Sequence, residues 1–197
     1  MMNSDKNELF PVFLKLNQLK VLLVGAGPVG LEKLGAMLGN SAHASIKIIA
    51  VDVLPEIGEL VANHPNATIE QRPYREEDMK GYDLAIIAVN SRPLSETIYG
   101  HAKKAGIIAN VADTPDLCDF YLGSIVQKGN LKIAISTNGK SPTMAKRLRQ
   151  WFQEILPDQM DELLENLYTY RKTIKASFEE KVKHLDELTS SMISKGK

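Results

Sequence analysis

The chain has little of what would commit it to the cell exterior, a membrane or a metal. In 197 residues there is one cysteine, Cys118, so neither an internal disulfide framework nor a cysteine-built zinc cluster can form. That suits a reducing compartment. No apolar run approaches the roughly 18 residues of a spanning helix. The opening MMNSDKNELF carries acids and no apolar core, unlike a secretory leader. A cytoplasmic location is expected. Net charge is also absent: 24 basic and 24 acidic residues cancel, which removes any global attraction to nucleic acid or an anionic membrane. His43, His64, His101 and His184 have no partners at metal-ligand spacing, so no metal site is expected.

What the chain does have is alternation. FPVFLKL (10–16), KVLLVGAG (20–27), IKIIAVD (46–52), ATIEQ (67–71), LAIIAVN (84–90) and IIANVAD (107–113) read as strands. Helical patterns over 28–38, 55–63 and 93–105 separate the later ones. Near-continuous apolar strands of this kind belong in a parallel sheet covered on both faces. The expected fold class is therefore α/β, a Rossmann-like doubly wound parallel sheet. After Asp113 the rhythm changes. FYLGSIVQ and LKIAIST are joined only by Lys128-Gly129-Asn130, which implies an antiparallel hairpin. Ser141-Pro142 predicts an N-cap and a first helical position, opening a helix to about Ile155. Apolar residues from Met160 to Leu188 then recur at helical spacing, as in amphipathic helices.

Within VLLVGAGPVG, Gly25 allows a tight bend, Gly27 lets a pyrophosphate approach the backbone, and Gly30 lets the helix close on the strand. The anion would sit on the helix N-terminus, where free N–H groups and the dipole favour negative charge. Asp52 follows 22 residues after Gly30 at the end of the next strand. A carboxylate there accepts hydrogen bonds from both ribose hydroxyls and repels a 2′-phosphate, which favours NAD over NADP. Asn90, closing LAIIAVN, is assigned to the same cofactor edge. Asp113 ends the last parallel strand, where ligands collect in open α/β sheets. It is the candidate general base, with a turn-capping aspartate as the plain alternative. Cys118 reads as a buried thiol.

Tyr99-x-x-x-Lys103 and Tyr168-x-x-x-Lys172 have the spacing of a lysine-activated tyrosine, but no strand-end serine precedes the first and the second lies in the distal tail. Both are read as coincidence. From Gln127 to Gln150 there are six basic residues (Lys128, Lys132, Lys140, Lys146, Arg147, Arg149) and no acid. Beside a helix N-terminus, such a run attracts anions. A solvated helix face accounts for part of it, and a polycarboxylate ligand would account for the rest.

The combination of FPVFLKL opening into KVLLVGAGPVGLEK, then NVAD, then FYLGSIVQKGNLKIAISTNGKSPTMAKRLRQ resembles the precorrin-2 dehydrogenase and sirohydrochlorin ferrochelatase family, which includes the N-terminal part of siroheme synthases. The resemblance spans about residues 9–160, and ISTNGKSPTMAKRLR is its most specific stretch. It implies NAD-dependent oxidation of precorrin-2, a tetrapyrrole with eight carboxylates, to sirohydrochlorin, in siroheme or cobalamin synthesis. Some members also insert Fe2+. It implies a NAD-binding domain (1–113), a dimerisation and substrate-binding region (114–150), a helical C-terminal domain (151–197), and a homodimer.

Carried over onto this chain, the resemblance places cofactor contacts at Pro28, Val29, Val51 and Asp52, and the catalytic carboxylate at Asp113. Substrate contacts are expected at Thr137, Lys140, Ser141, Lys146 and Arg149, within and beside the basic run. Thr137 stands where relatives carry a serine that some phosphorylate. Gly30 is often alanine in relatives, a difference of little bulk. An alternative from another class, a non-catalytic NAD-sensing module, shares the glycine turn and acidic strand end but lacks a basic hairpin and Ser-Pro helix.

Overall fold

The computed structural model describes residues 6–190. Residues 1–5, the start of the stretch read as unlike a secretory leader, and 191–197, the end of the domain expected at 151–197, lie outside the described residues. The chain divides into two compact units, Met1–Leu122 and Gly123–Lys197.

The first unit alternates strand and helix: β1 (Lys20–Ala26), α1 (Pro28–Asn40), β2 (Ser45–Val53), α2 (Pro55–Ala62), β3 (Ala67–Gln71), β4 (Leu84–Ile87), α3 (Arg92–Lys104) and β5 (Ile108–Val111). All pairings are parallel, in the order β3-β2-β1-β4-β5. Val21 to Val24 of β1 and all of β4 are buried, because helices cover both faces. Val21, Leu23, Ile46, Ile48 and Ile86 share one apolar layer with Leu34 and Met37 of α1 and Ile57 of α2. Leu22, Val24, Ile49, Ala85 and Ile87 share the other with Ile98 and Ala102 of α3. Each fully buried Leu or Ile contributes about 2 kcal/mol of transfer free energy. Helices α1, α2 and α3 all begin with proline at N1 or N2, where a missing N–H costs nothing. The doubly wound fold expected from the alternation is what forms.

One element does not. Residues 10–15 form no strand, and the chain enters β1 through a 3-10 turn at Leu16–Gln18. β1 already has neighbours on both sides, in β2 and β4, so no place beside it is open to FPVFLKL. Phe10, Val12 and Phe13 are left exposed.

The second unit holds β6 (Ser124–Lys128), β7 (Leu131–Ile135), α4 (Pro142–Ile155), α5 (Met160–Thr173) and α6 (Phe178–Thr189). β6 and β7 pair antiparallel from Ser124↔Ile135 to Lys128↔Leu131, around a two-residue loop. Gly129 has φ 55 while Asn130 is not left-handed, the φ pattern of a type II′ turn with glycine first. α4 begins as expected: the Ser141 hydroxyl accepts from the Met144 N–H at 3.2 Å. No described helix is long and apolar enough to cross a membrane.

Candidate functional site

In a parallel sheet all strand carboxyl ends lie along one edge. β1 is flanked by β2 on one side and β4 on the other, so the strand order reverses there and the connections leave in opposite directions. A crevice opens at such a switch point. Gly25, at φ 103, turns the chain out of β1, and a Cβ there would overlap the Ala88 carbonyl at the end of β4. A Cβ on Gly30 would overlap the Gly25 carbonyl. The first turn of α1 is thus closed against β1 to a distance that alanine does not allow in this backbone, contrary to the expectation that Gly30 and alanine are interchangeable here.

Gly27 differs from both. It caps α1 at φ −84, with no side-chain cap, and a Cβ there would meet nothing within 4 Å. The protein leaves this space open, in front of N–H groups of the first turn that have no partner inside the helix. Pro28 and Val29 form that turn. Across the crevice, Asn90 is exposed just beyond β4. Val51, 57% exposed, and Asp52 lie at the end of β2. The described residues therefore place every sequence-predicted cofactor contact at one end of the sheet, around a cradle that fits a dinucleotide pyrophosphate.

Asp113 follows β5 at the same edge. It is exposed and left-handed, with φ 55, a conformation that costs a non-glycine residue about 1 kcal/mol. Its carboxylate makes no hydrogen bond or ion pair among the described residues. It does not cap the turn at Thr114-Pro115, whose start has no side-chain cap. The Thr114 hydroxyl donates to the Ala112 carbonyl at 3.1 Å. Cys118 is half-buried, and burial pushes its thiol up, so at neutral pH it is protonated and a weak donor.

Sequence reasoning missed the group that fastens this loop. The Asp119 carboxylate accepts from the Ala109 N–H at 2.8 Å, Lys103 Nζ at 2.8 Å and the Tyr99 hydroxyl at 3.2 Å. Burial works against the charge, but these donors hold the carboxyl below the usual carboxylate range. The Tyr99 hydroxyl is itself pushed up, first by burial and then by Asp119, the opposite of an activated tyrosine. In the second such pair, Lys172 Nζ lies 4.0 Å from the Tyr168 ring centre. Both tyrosine–lysine spacings serve structure.

In the second unit the basic run is less bare than its sequence window suggests. Lys128 pairs with Asp158, and Asp161 accepts from the Asn130 N–H at 2.7 Å and its side-chain amide at 2.8 Å. The acids come from α5 and the residues before it, beyond the window. Thr137 and Ser141 bond each other: Thr137 Oγ1 accepts from the Ser141 N–H at 3.2 Å and donates to its carbonyl at 3.1 Å. Between them, Asn138 (φ 53) and Gly139 (φ 73) form a turn closed by Lys140 N–H to the Thr137 carbonyl at 3.0 Å. Two left-handed central residues make it type I′, for which Asn-Gly is a strong signal. Lys140 and Lys146 are exposed on and after this turn. Arg149 Nε, farther along α4, is buried and has no hydrogen-bond partner among the described residues. No cluster of metal-ligating side chains occurs among the described residues.

Known proteins are similar to this chain in sequence and in fold. The family model described as "Putative NAD(P)-binding" matches residues 12–124, and that described as "Sirohaem biosynthesis protein central" matches 128–152. A siroheme synthase of Nitrosomonas europaea is 31% identical over 87% of this chain and 36% of its own length. One of Psychrobacter cryohalolentis is 35% identical over 85% of this chain and 31% of its own length. The chain thus spans about a third of the curated relatives it matches. A solved structure of SirC, precorrin-2 dehydrogenase, aligns with 94% of this chain and 90% of its own at a TM-score of 0.71 and 23% identity; the fold is shared. With more than half of its length matched by one model and the next segment by the other, the chain belongs to the NAD(P)-binding family that continues into the sirohaem-biosynthesis central segment.

Proposed function

We propose that the protein oxidises precorrin-2 to sirohydrochlorin with NAD, in siroheme or cobalamin synthesis. The observation that carries this reading is Asp113, an unpartnered carboxylate in a left-handed turn at the sheet edge that also holds the open glycine cradle. The names of the relatives and of the structural neighbour support the substrate.

The cofactor's pyrophosphate would lie over Gly27 against the N–H groups of Val29 and Gly30, and its ribose against Asp52, with Val51 and Asn90 beside it. The segment from Asp52 to Glu56 has two acids and no base, which supports NAD over NADP because a 2′-phosphate would meet only like charge. When bound, the nicotinamide supplies a hydride acceptor. Asp113 takes the proton that the substrate loses with the hydride; being exposed and unpaired, the carboxylate is free to accept it. The basic run would hold carboxylates. Arg149 supports this, since a buried guanidinium nitrogen without a partner is costly unless an anion supplies one. Lys140 and Lys146 add charge, and Thr137 and Ser141 shape the turn that presents it.

Fe2+ insertion into the product is a second activity we assign to the same carboxylate, which would accept the displaced pyrrole protons. A homodimer is our reading of the assembly, and the functional division at 113 and 150 remains part of the proposal. The sirohaem match at 128–152 favours an enzyme over a sensing module. Mixing the protein with precorrin-2 and NAD should generate NADH absorbance. Intact NAD binding without NADH would remove the dehydrogenase reading.

A further inference from the structure

The backbone on both sides of Asp113 is tied, while Asp113 itself is not. The Ala112 N–H donates to the Ile87 carbonyl at 2.9 Å, and the Thr114 N–H to the Val111 carbonyl at 3.3 Å. Behind the turn sits the Cys118 sulfur. It accepts from the Val111 N–H at 3.3 Å and the Asn110 side-chain amide at 3.4 Å. As a donor it lies 3.1 Å from the Val111 carbonyl and 3.3 Å from that of Thr114. Asn110 is buried, 6% exposed, and its amide also donates to the Phe120 carbonyl at 2.8 Å. From outside, Arg92 bonds Asp116 at 2.6 Å.

We propose that Cys118 and Asn110 are positioning residues for Asp113, the thiol and amide closing the loop into the one shape that holds Asp113 left-handed with its carboxylate free. This rests on the reading of Asp113 as the base. A left-handed aspartate persists only where its surroundings over-determine it, and here the neighbouring peptide groups, not the carboxylate, do so. A sulfur suits the task because its long, weak bonds reach two carbonyls and two donors from one point. Burial keeps the thiol protonated, so its donor is present throughout the neutral range.

The test compares kcat, KM and amide exchange in the full-length protein. Cys118→Ala should lower kcat at least tenfold while KM for precorrin-2 and NAD affinity stay within threefold of wild type. The Thr114 amide should exchange faster. Cys118→Ser, which keeps a donor and an acceptor, should recover most of the loss. Asn110→Leu should resemble Cys118→Ala, and Cys118→Val stands in if the alanine variant does not fold. In an Asp113→Asn background the Cys118→Ala change should cost nothing further. Wild-type kcat in Cys118→Ala, or losses that multiply in the double variant, would overturn the positioning role while leaving Asp113 as the base. Full turnover in Asp113→Asn would instead overturn the base reading, and the positioning role with it.

Discussion

The three glycines of the first turn make different demands, and substitution separates them. Gly25→Ala forces a left-handed alanine into the Ala88 carbonyl and should destabilise the protein by about 2 kcal/mol or more, read as a lowered Tm. Gly27→Ala meets no protein atom and has an ordinary φ. It should leave Tm within a degree or so but weaken NAD binding about tenfold or more by filling the cradle, as calorimetric titration would show. Equal loss of stability in both variants would mean that Gly27 is not reserved for a ligand. If Asp52 selects NAD as proposed, Asp52→Ala should narrow the difference between NAD and NADP affinity, checked by parallel titrations. The turn itself was legible in the sequence because a strand, a glycine turn and a helix are adjacent along the chain. The service of Asn110, Cys118 and Asp119 was not: each acts across a reversal of the backbone, and neither a lone thiol nor an aspartate after a turn carries a signature of it.

Among the elements, helix starts were the most legible, since proline and the serine cap act within one turn. Ser141→Ala should cost about 1 kcal/mol, measured by denaturant unfolding, through loss of the bond to Met144. The strand expected at 10–16 failed for the converse reason: pairing needs an open neighbour, which only the assembled sheet determines. At β3, charge enters. Arg72 bonds both oxygens of Asp78, at 2.7 and 2.6 Å, and with the Arg75 N–H holds that carboxyl below its usual range against the opposing effect of burial. A depressed pKa in the folded state stabilises fully above the unfolded value of about 3.9 and is lost as pH falls through the lower folded value. Acid unfolding should therefore steepen below about pH 4, and Asp78→Asn should be less stable at neutral pH and flatter in acid.

For the molecule as a whole, the sequence gives the order of parts but not their counter-charges. The six cations between 127 and 150 stand in a window without an acid, yet Lys128 is paired with Asp158, an acid outside that window. Assembly is testable on one face of α4, where Met144, Trp151 and Ile155 are each about half exposed at heptad-like spacing. If the protein is a homodimer through that stripe, Trp151→Glu should shift its mass in light scattering from two chains to one. An unchanged mass would place the interface elsewhere. NAD at a hundred times its Kd should add about 2.7 kcal/mol of stability if it binds only the folded protein, seen as a rise in Tm. The turn at Gly129-Asn130 bears on where this protein can be cut. The central family match ends at 152, but the groups that fasten the hairpin's tip are Asp158 and Asp161. A truncation drawn at the end of the match would release that tip. The shortest self-sufficient version of the second unit must extend into α5, whose opening turn is in effect the missing corner of the hairpin.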